Sequence, residues 1–307
     1  MKKLKYLILL LCISIILIGC TKKEAERAPE STSTPLLLEV TKEGMDNKLY
    51  LFGSIHAGEK MMYPLPDYII NAYKESDILA VEFDLVEYSS DISNQMDLLS
   101  KFVIPDGKKI TDYIDEETYN DGVSILENLG LYSPIYDNYS PIMWQTLIET
   151  AAMEEVNLSS TYGIDTYMLE LAKEDGKKIL ELESAEYQYN VLLGFDEETQ
   201  IYLLKQSIEE HENSKENLKE LYELYKKGNK EELEKLVFQS EEEPNQYEIE
   251  YNEKLITIRN NNMTDLLEKN FQEGKNVFCT VGLAHIIGKG GMIDQFEQRG
   301  YMVRVVK

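Results

Sequence analysis

Three histidines stand in the 307-residue chain, and two of them occupy the same local frame. Gly53-Ser54-Ile55-His56 lies near the start and Gly282-Leu283-Ala284-His285 near the end, each a G-x-x-H that follows an apolar, β-rich run. Open α/β sheets place ligand sites at the carboxyl ends of their strands, so imidazoles from two distant segments can converge on one crevice. A lone histidine at a strand end is usually a packed or hydrogen-bonded side chain; the repeated frame is what points to a shared site. Glu82 adds an acid inside the otherwise apolar run ILAVEF. Burial there is costly unless the carboxylate is paired, protonated or coordinating. Two neutral imidazoles and a carboxylate form a usual ligand set for a divalent metal, with positions left open for water and substrate. The same residues also allow a metal-free reading, in which Glu82 pairs with a cation such as Arg259, and residue types alone leave the two open.

The remaining reactive residue types read more blandly. His211 lies in Glu209-Glu210-His211-Glu212, inside a strongly charged stretch, and is expected on the solvated surface. Gly288, Gly290 and Gly291 fit neither the Walker nor the dinucleotide spacing and read as a turn. Cys279, within an apolar run, reads as a small buried hydrophobe.

Positioning these groups requires a sheet. Residues 36–42 and 48–55 are β-rich runs separated by Glu-Gly-Met-Asp-Asn, a hairpin signal. Asp67 can cap a helix over 67–76, and 78–83 reads as a buried strand. Helical periodicity follows over about 115–130, 140–156 and 163–175, closed by Gly130 and Gly176, with a short strand at 178–182. Helical patterns dominate from about 196 to 270, and the segment 209–243 is so rich in Glu and Lys that it is expected to form exposed helices covering one side. A helix over 253–273, a strand over 276–281, a helix over 291–299 and a strand over 301–306 close the chain.

The amino terminus carries Lys2, Lys3 and Lys5, then an apolar run from Leu7 to Ile18, the pattern of an export signal too short to span a bilayer comfortably. It ends in Leu17-Ile18-Gly19-Cys20, which resembles the bacterial lipobox, so residues 1–19 are expected to be removed and Cys20 to be diacylated. Two acyl chains anchor a protein stably at a membrane where one does not. Polar, Pro-containing residues up to 34 read as a lipidated tether from Cys20, and 35–307 as the folded domain. The expected location is the extracytoplasmic face of the cell membrane. With Cys12 removed and Cys20 acylated, Cys279 is the one remaining thiol, so the domain is expected to rely on its core rather than on disulfides. Loss of three lysines with the signal would leave 28 basic against 56 acidic side chains, a formal charge of −28. Nucleic acid is excluded as a partner on that balance.

At this point the residues carry a family resemblance. LYLFGSIHAG, the Pro64-Leu65-Pro66 that follows it, and ILAVEFDL resemble the opening of TraB/GumN proteins, a family similar also to the Tiki proteases. Tyr162-Gly163-Ile164-Asp165, Gly176-Lys177 and Leu182-Glu183-Ser184 resemble the family's G-I-D, G-K and L-E-T stretch, with Ser184 where a threonine is usual. Arg259-Asn260 and VGLAHIIGKGGMIDQFEQRGYMV resemble its closing block. The resemblance implies an α/β fold, EreA/ChaN-like, with a central β-sheet and flanking helices; the largely helical acidic insert at about 196–250 is read from the sequence pattern and is the region the family informs least. It implies His56, His285 and Glu82 as the site, with metal-dependent peptide hydrolysis as the activity of the Tiki branch. The bacterial branch is associated with inhibition of peptide pheromones, which does not require catalysis. The expected protein is therefore a surface-anchored metallohydrolase acting on peptides. His56 and His285 would hold a divalent ion such as manganese, cobalt or zinc, with Glu82 as ligand or general base. Arg259 is the candidate oxyanion stabiliser, and Glu183 and Asn260 are additional candidates. The rivals are a lipoprotein that sequesters a peptide or small ligand without turnover, and a metal or haem carrier.

Overall fold

A computed structural model describes residues 33–239 and 243–306. The expected signal, the acylated Cys20 and nearly all of the tether lie outside them. Six strands form one sheet: β1 (Leu37–Thr41), β2 (Leu49–Ser54), β3 (Ile78–Val81), β4 (Lys178–Glu181), β5 (Val277–Gly282) and β6 (Met302–Val305), in the order β4-β3-β5-β2-β1-β6. The four strands β4, β3, β5 and β2 run parallel, while β1 pairs antiparallel with β2 and with β6. Every residue of β2, β3 and β5 is buried. That is the condition of parallel strands covered by helices on both faces, and it explains why these segments are almost wholly apolar in sequence.

The helices are α1 (Asp67–Glu75), α2 (Leu85–Ser90), α3 (Ile92–Lys101), α4 (Glu116–Asn128), α5 (Pro141–Glu155), α6 (Ile164–Asp175) and α7 (Ala185–Leu193). There follow α8 (Glu197–Glu209), α9 (His211–Lys227), α10 (Lys230–Phe238), α11 (Gln246–Asn252), α12 (Ile258–Gln272), α13 (Leu283–Ile286) and α14 (Met292–Gln298). The expected α/β architecture, a central sheet flanked by helices, is the one observed. Gly176 closes α6 at φ +64°, a left-handed position that suits a residue without Cβ. Two details differ from expectation. Asp67 is the first residue of α1 rather than its cap, which is Pro66, and its carboxylate sits where the helix dipole favours negative charge. Residues 85–101 and 185–193, for which the sequence raised no helical expectation, form α2, α3 and α7.

The larger correction concerns the charged segment. α9 is not a solvated cover: it buries His211, Leu218, Leu221, Tyr222 and Tyr225 and packs against α5. The four apolar positions fall at i, i+3, i+4 and i+7, one stripe of a helix whose other faces carry the charge. The buried Tyr225 hydroxyl donates to the Gly53 carbonyl at 2.6 Å, and Glu59 N donates to the Tyr222 hydroxyl at 3.2 Å, so α9 is fastened to the segment around His56. Among the described residues no helix is long and apolar enough to cross a membrane.

Candidate functional site

The four parallel strands deliver their next residues to one edge. Ser54 of β2 lies in register with Gly282 of β5, so the two G-x-x-H turns leave adjacent strands side by side. They touch: a Cβ built on Gly53 would stand 2.7 Å from Leu283 Cδ1 and 3.0 Å from Leu283 Cα, so only glycine fits that position. Val81 pairs with Thr280 and with Glu181, which places Glu82 just beyond the end of β3. Pairing continues past β4, since Leu182 N donates to Val81 O and Glu183 N to Glu82 O. His56, His285, Glu82 and Glu183 are thus each supplied by a different strand of the parallel set, at its carboxyl end.

Three helices complete the cluster. α6 docks on the His56 loop through the hydrogen bond from Ile164 N to Ile55 O. A Cβ on Gly163 would meet His56 O at 2.6 Å, so this approach also needs glycine. It brings Asp165 Oδ2 to 2.6 Å from His56 Nδ1. α7 contributes Gln188, whose Nε2 donates to Glu82 Oε2 at 2.6 Å and to Glu183 Oε2 at 3.2 Å. α12, entered through a π-helical turn at Glu253–Thr257, contributes Arg259 and Asn260. Such turns recur where a helix must re-aim side chains at a site. Arg259 Nη2 donates to Glu82 Oε2 at 2.6 Å and to Glu183 Oε2 at 2.8 Å, and its Nε reaches Glu183 at 3.0 Å.

The side chains of Arg259, His285, Glu183 and Glu82 are 1, 1, 2 and 8 % exposed, so their charges are set by one another. Burial alone would raise Glu82, but Arg259 and the two histidines hold its carboxyl down at about 2. Burial outweighs the same arginine at Glu183, whose pKa is raised. Burial, reinforced by Arg259, lowers His285 to about 3, so its ring is neutral. Burial also pulls His56 down, yet the charge and hydrogen bond of Asp165 prevail and the net shift is upward.

The hydrogen bonds also fix a tautomer. Asn260 Nδ2 donates to Gly290 O at 3.1 Å, which turns its carbonyl oxygen toward His285 Nδ1 at 2.7 Å. That oxygen only accepts, so Nδ1 carries the proton and Nε2 carries the lone pair. Asp165 does the same for neutral His56. Both Nε2 atoms are buried without a hydrogen-bond partner, and His285 Nε2 stands 3.8 Å from Glu82 Oε1. Imidazoles with Nδ1 tied to a carboxylate or carbonyl and Nε2 free are the usual form of metal ligands, so each ring taken singly suits that role, although the ligand atoms of His56, Glu82 and His285 are not drawn within 4.8 Å of one another. Glu82 is at the same time the partner of Arg259: the pairing weighed against a metal is present, and Oε1 already accepts from Gly282 N at 2.8 Å.

The structure thus brings together all six sequence candidates within the described residues: His56, Glu82, Glu183, Arg259, Asn260 and His285. Asp165 and Gln188 were not singled out. Asp165 stands in the quoted Gly163-Ile164-Asp165 stretch, but its partner lies 109 residues away; Gln188 carried no signal. His211 is elsewhere and is buried, not solvated, at 5 % exposure. Its Nε2 lies 3.1 Å from Glu155 Oε1, because α9 packs its first residue onto the end of α5. Among the described residues, Glu155, His211 and Glu212 are the ligand-type side chains whose atoms all approach within 4.8 Å of one another, a group that could hold a metal ion. Lys215 Nζ already offsets part of its negative charge, at 2.5 Å from Glu155 and 2.6 Å from Glu212.

A mixed sheet whose parallel strands carry two imidazoles and a buried carboxylate–arginine cluster at their carboxyl ends defines an α/β protein with a buried polar cluster at that edge. The chain belongs to the TraB/PrgY/gumN family, whose description matches residues 36–305. It is 30 % identical over 158 residues, 51 % of this chain and 55 % of the relative, to the uncharacterized protein YbaP of Escherichia coli (strain K12). It is 31 % identical over 146 residues, 47 % of this chain and 51 % of the relative, to YbaP of Shigella flexneri. The chain spans about half the length of the curated relatives it matches. No solved structure matches it.

Proposed function

We propose that the protein is a metal-dependent hydrolase acting on peptides at the outer face of a membrane, anchored by lipid on Cys20. The observation that carries this reading is the pair of buried imidazoles, His56 and His285, each with Nδ1 locked and Nε2 unpartnered. They would hold the ion, with Glu82 Oε1 as the neighbouring carboxylate oxygen. A divalent ion there would lower the pKa of bound water and polarise a scissile carbonyl.

The chain's own residues divide the remaining work. Glu82, held at about 2, stays ionised and is a poor proton acceptor; it supplies fixed negative charge beside His285. Glu183, raised by burial, is closer to the pKa that general acid–base work favours. Arg259 is committed to both carboxylates and holds them at one spacing; a role on an oxyanion requires it to release one of them.

Metal analysis of the purified full chain, beside His56→Gln and His285→Gln, tests the reading together with cleavage of a peptide mixture under manganese, cobalt or zinc. Bound metal in the wild type, lost with either substitution along with turnover, is expected. A wild-type chain that binds none of the three ions and cleaves nothing would end it and favour ligand sequestration. Anchoring is tested separately by mass spectrometry of Cys20→Ala, where a lipid-bearing amino terminus would refute it.

A further inference from the structure

Beside His56 the fold leaves a small, half-open recess of about 30 Å³. Its walls come from His56, Ala57, Met153 of α5, and Leu218, Leu221 and Tyr222 of α9. A water fills roughly 10–15 Å³ on the same measure, so this volume suits a short aliphatic group. The walls are apolar, which excludes a charged side chain: an ion left there would lose its hydration with nothing to replace it. The position of α9 is imposed rather than incidental, because Tyr222 and Tyr225 fasten it to Glu59 N and to the Gly53 carbonyl on either side of His56. A charge-rich helix is therefore held with its apolar stripe against the segment that carries a candidate ligand-binding histidine.

We propose that this recess receives a short aliphatic side chain, of the size of alanine or valine, from a peptide bound beside His56, and that α9 sets that preference. The inference rests on the hydrolase reading for the position of the peptide. The chemistry of the recess is independent of turnover. An added methylene in an apolar pocket changes discrimination about 10- to 200-fold, so valine over aspartate at one peptide position should be preferred by at least about tenfold.

Two variants move the preference in opposite directions. Leu221→Phe narrows the recess and should turn the optimum toward alanine or glycine; Met153→Ala widens it and should turn the optimum toward leucine or phenylalanine. Two readouts are taken on the full chain with circular dichroism as a folding control. One is kcat/KM on blocked peptides carrying Gly, Ala, Val, Leu, Phe or Asp at a single position. The other is the Met153 methyl resonance of methionine-labelled protein titrated with N-acetyl-valinamide or N-acetyl-aspartamide. A saturable methyl shift with the valine amide alone, weakened about tenfold in folded Leu221→Phe, supports the recess even where no peptide is cleaved, in which case the hydrolase reading falls by itself. Cleavage indifferent to the side chain and to both variants leaves the hydrolase standing and overturns the recess. Absence of any methyl shift from either amide overturns it as well.

Discussion

A single hydrogen bond decides what each site imidazole can do. Asn260, oriented by Gly290, presents an acceptor to His285 Nδ1, and Asp165 presents one to His56 Nδ1, so each ring when neutral offers its Nε2 lone pair; His56, whose pKa is raised, must release a proton to do so. Partners of this kind typically govern 10–100-fold in metal affinity. Asp165→Asn, nearly identical in shape, should therefore weaken metal binding about 10- to 100-fold with the fold intact. Competition titration against a chelator of known affinity measures it, and an unchanged constant would remove Asp165 from the site. The histidines were legible because the frame repeats; Asp165 was legible as a motif residue but not as a partner, since sequence does not say which loop a carboxylate will meet. His211 was misread for a related reason. Its neighbours in sequence are acids, whereas its neighbour in space is Glu155, contributed by another helix. His211→Ala should cost about 1–3 kcal/mol, as removal of a buried hydrogen-bonding partner does, rather than the few tenths expected of a solvated residue. Urea denaturation decides between these, and a change below about 0.5 kcal/mol would restore the solvated reading.

At the scale of elements, what the sequence displays best is the set of buried parallel strands. β2, β3 and β5 must be apolar on both faces, so they appear as short apolar runs, and the residues that interrupt or end them stand out. Helices that lie over the sheet are harder to see. α7 shows only a weak amphipathic pattern, although it delivers Gln188. α9 did carry a signal, its apolar residues at 218, 221, 222 and 225, but the surrounding charge drew attention to the solvated faces. The contact between the two G-x-x-H turns belongs to this scale too, because it depends on the register of β2 and β5. Gly53→Ala places a Cβ 2.7 Å from Leu283 Cδ1 and 3.0 Å from its Cα, and the backbone atom cannot swing aside. Overpacking of this kind costs about 1–3 kcal/mol. The strain falls between the two turns, so the metal affinity should drop together with the melting temperature. A variant that melts like the wild type would show that the turns are not in contact.

At the scale of the whole molecule, the core also confines an acid that lies apart from the histidine cluster. Glu149 is buried on α5 and takes one hydrogen bond, from Gln145 Nε2 at 3.1 Å. Burial raises its pKa well above the usual carboxylate value, and that hydrogen bond offsets only part of the rise. The folded protein therefore keeps this carboxyl protonated at a pH where the unfolded chain has already released the proton. Folding linked to a raised pKa is favoured fully below the unfolded value of about 4.5, and the contribution is lost as pH rises through the folded value. Within that window each pH unit removes up to about 1.4 kcal/mol from the wild type. Glu149→Gln keeps the size and a hydrogen-bonding amide but has no proton to lose, so its stability lacks this slope. The net charge, −25 over the full sequence at neutral pH with Glu149 counted as ionised, becomes more negative with pH in both proteins, and the effect of the shared groups cancels in their difference. Melting temperatures of the two, recorded from pH 4.5 to 8, should diverge steadily with the variant gaining as pH rises. Parallel profiles across that range would mean that Glu149 is ionised in the folded protein, and that a cation or water reaches the face of α5 on which it lies.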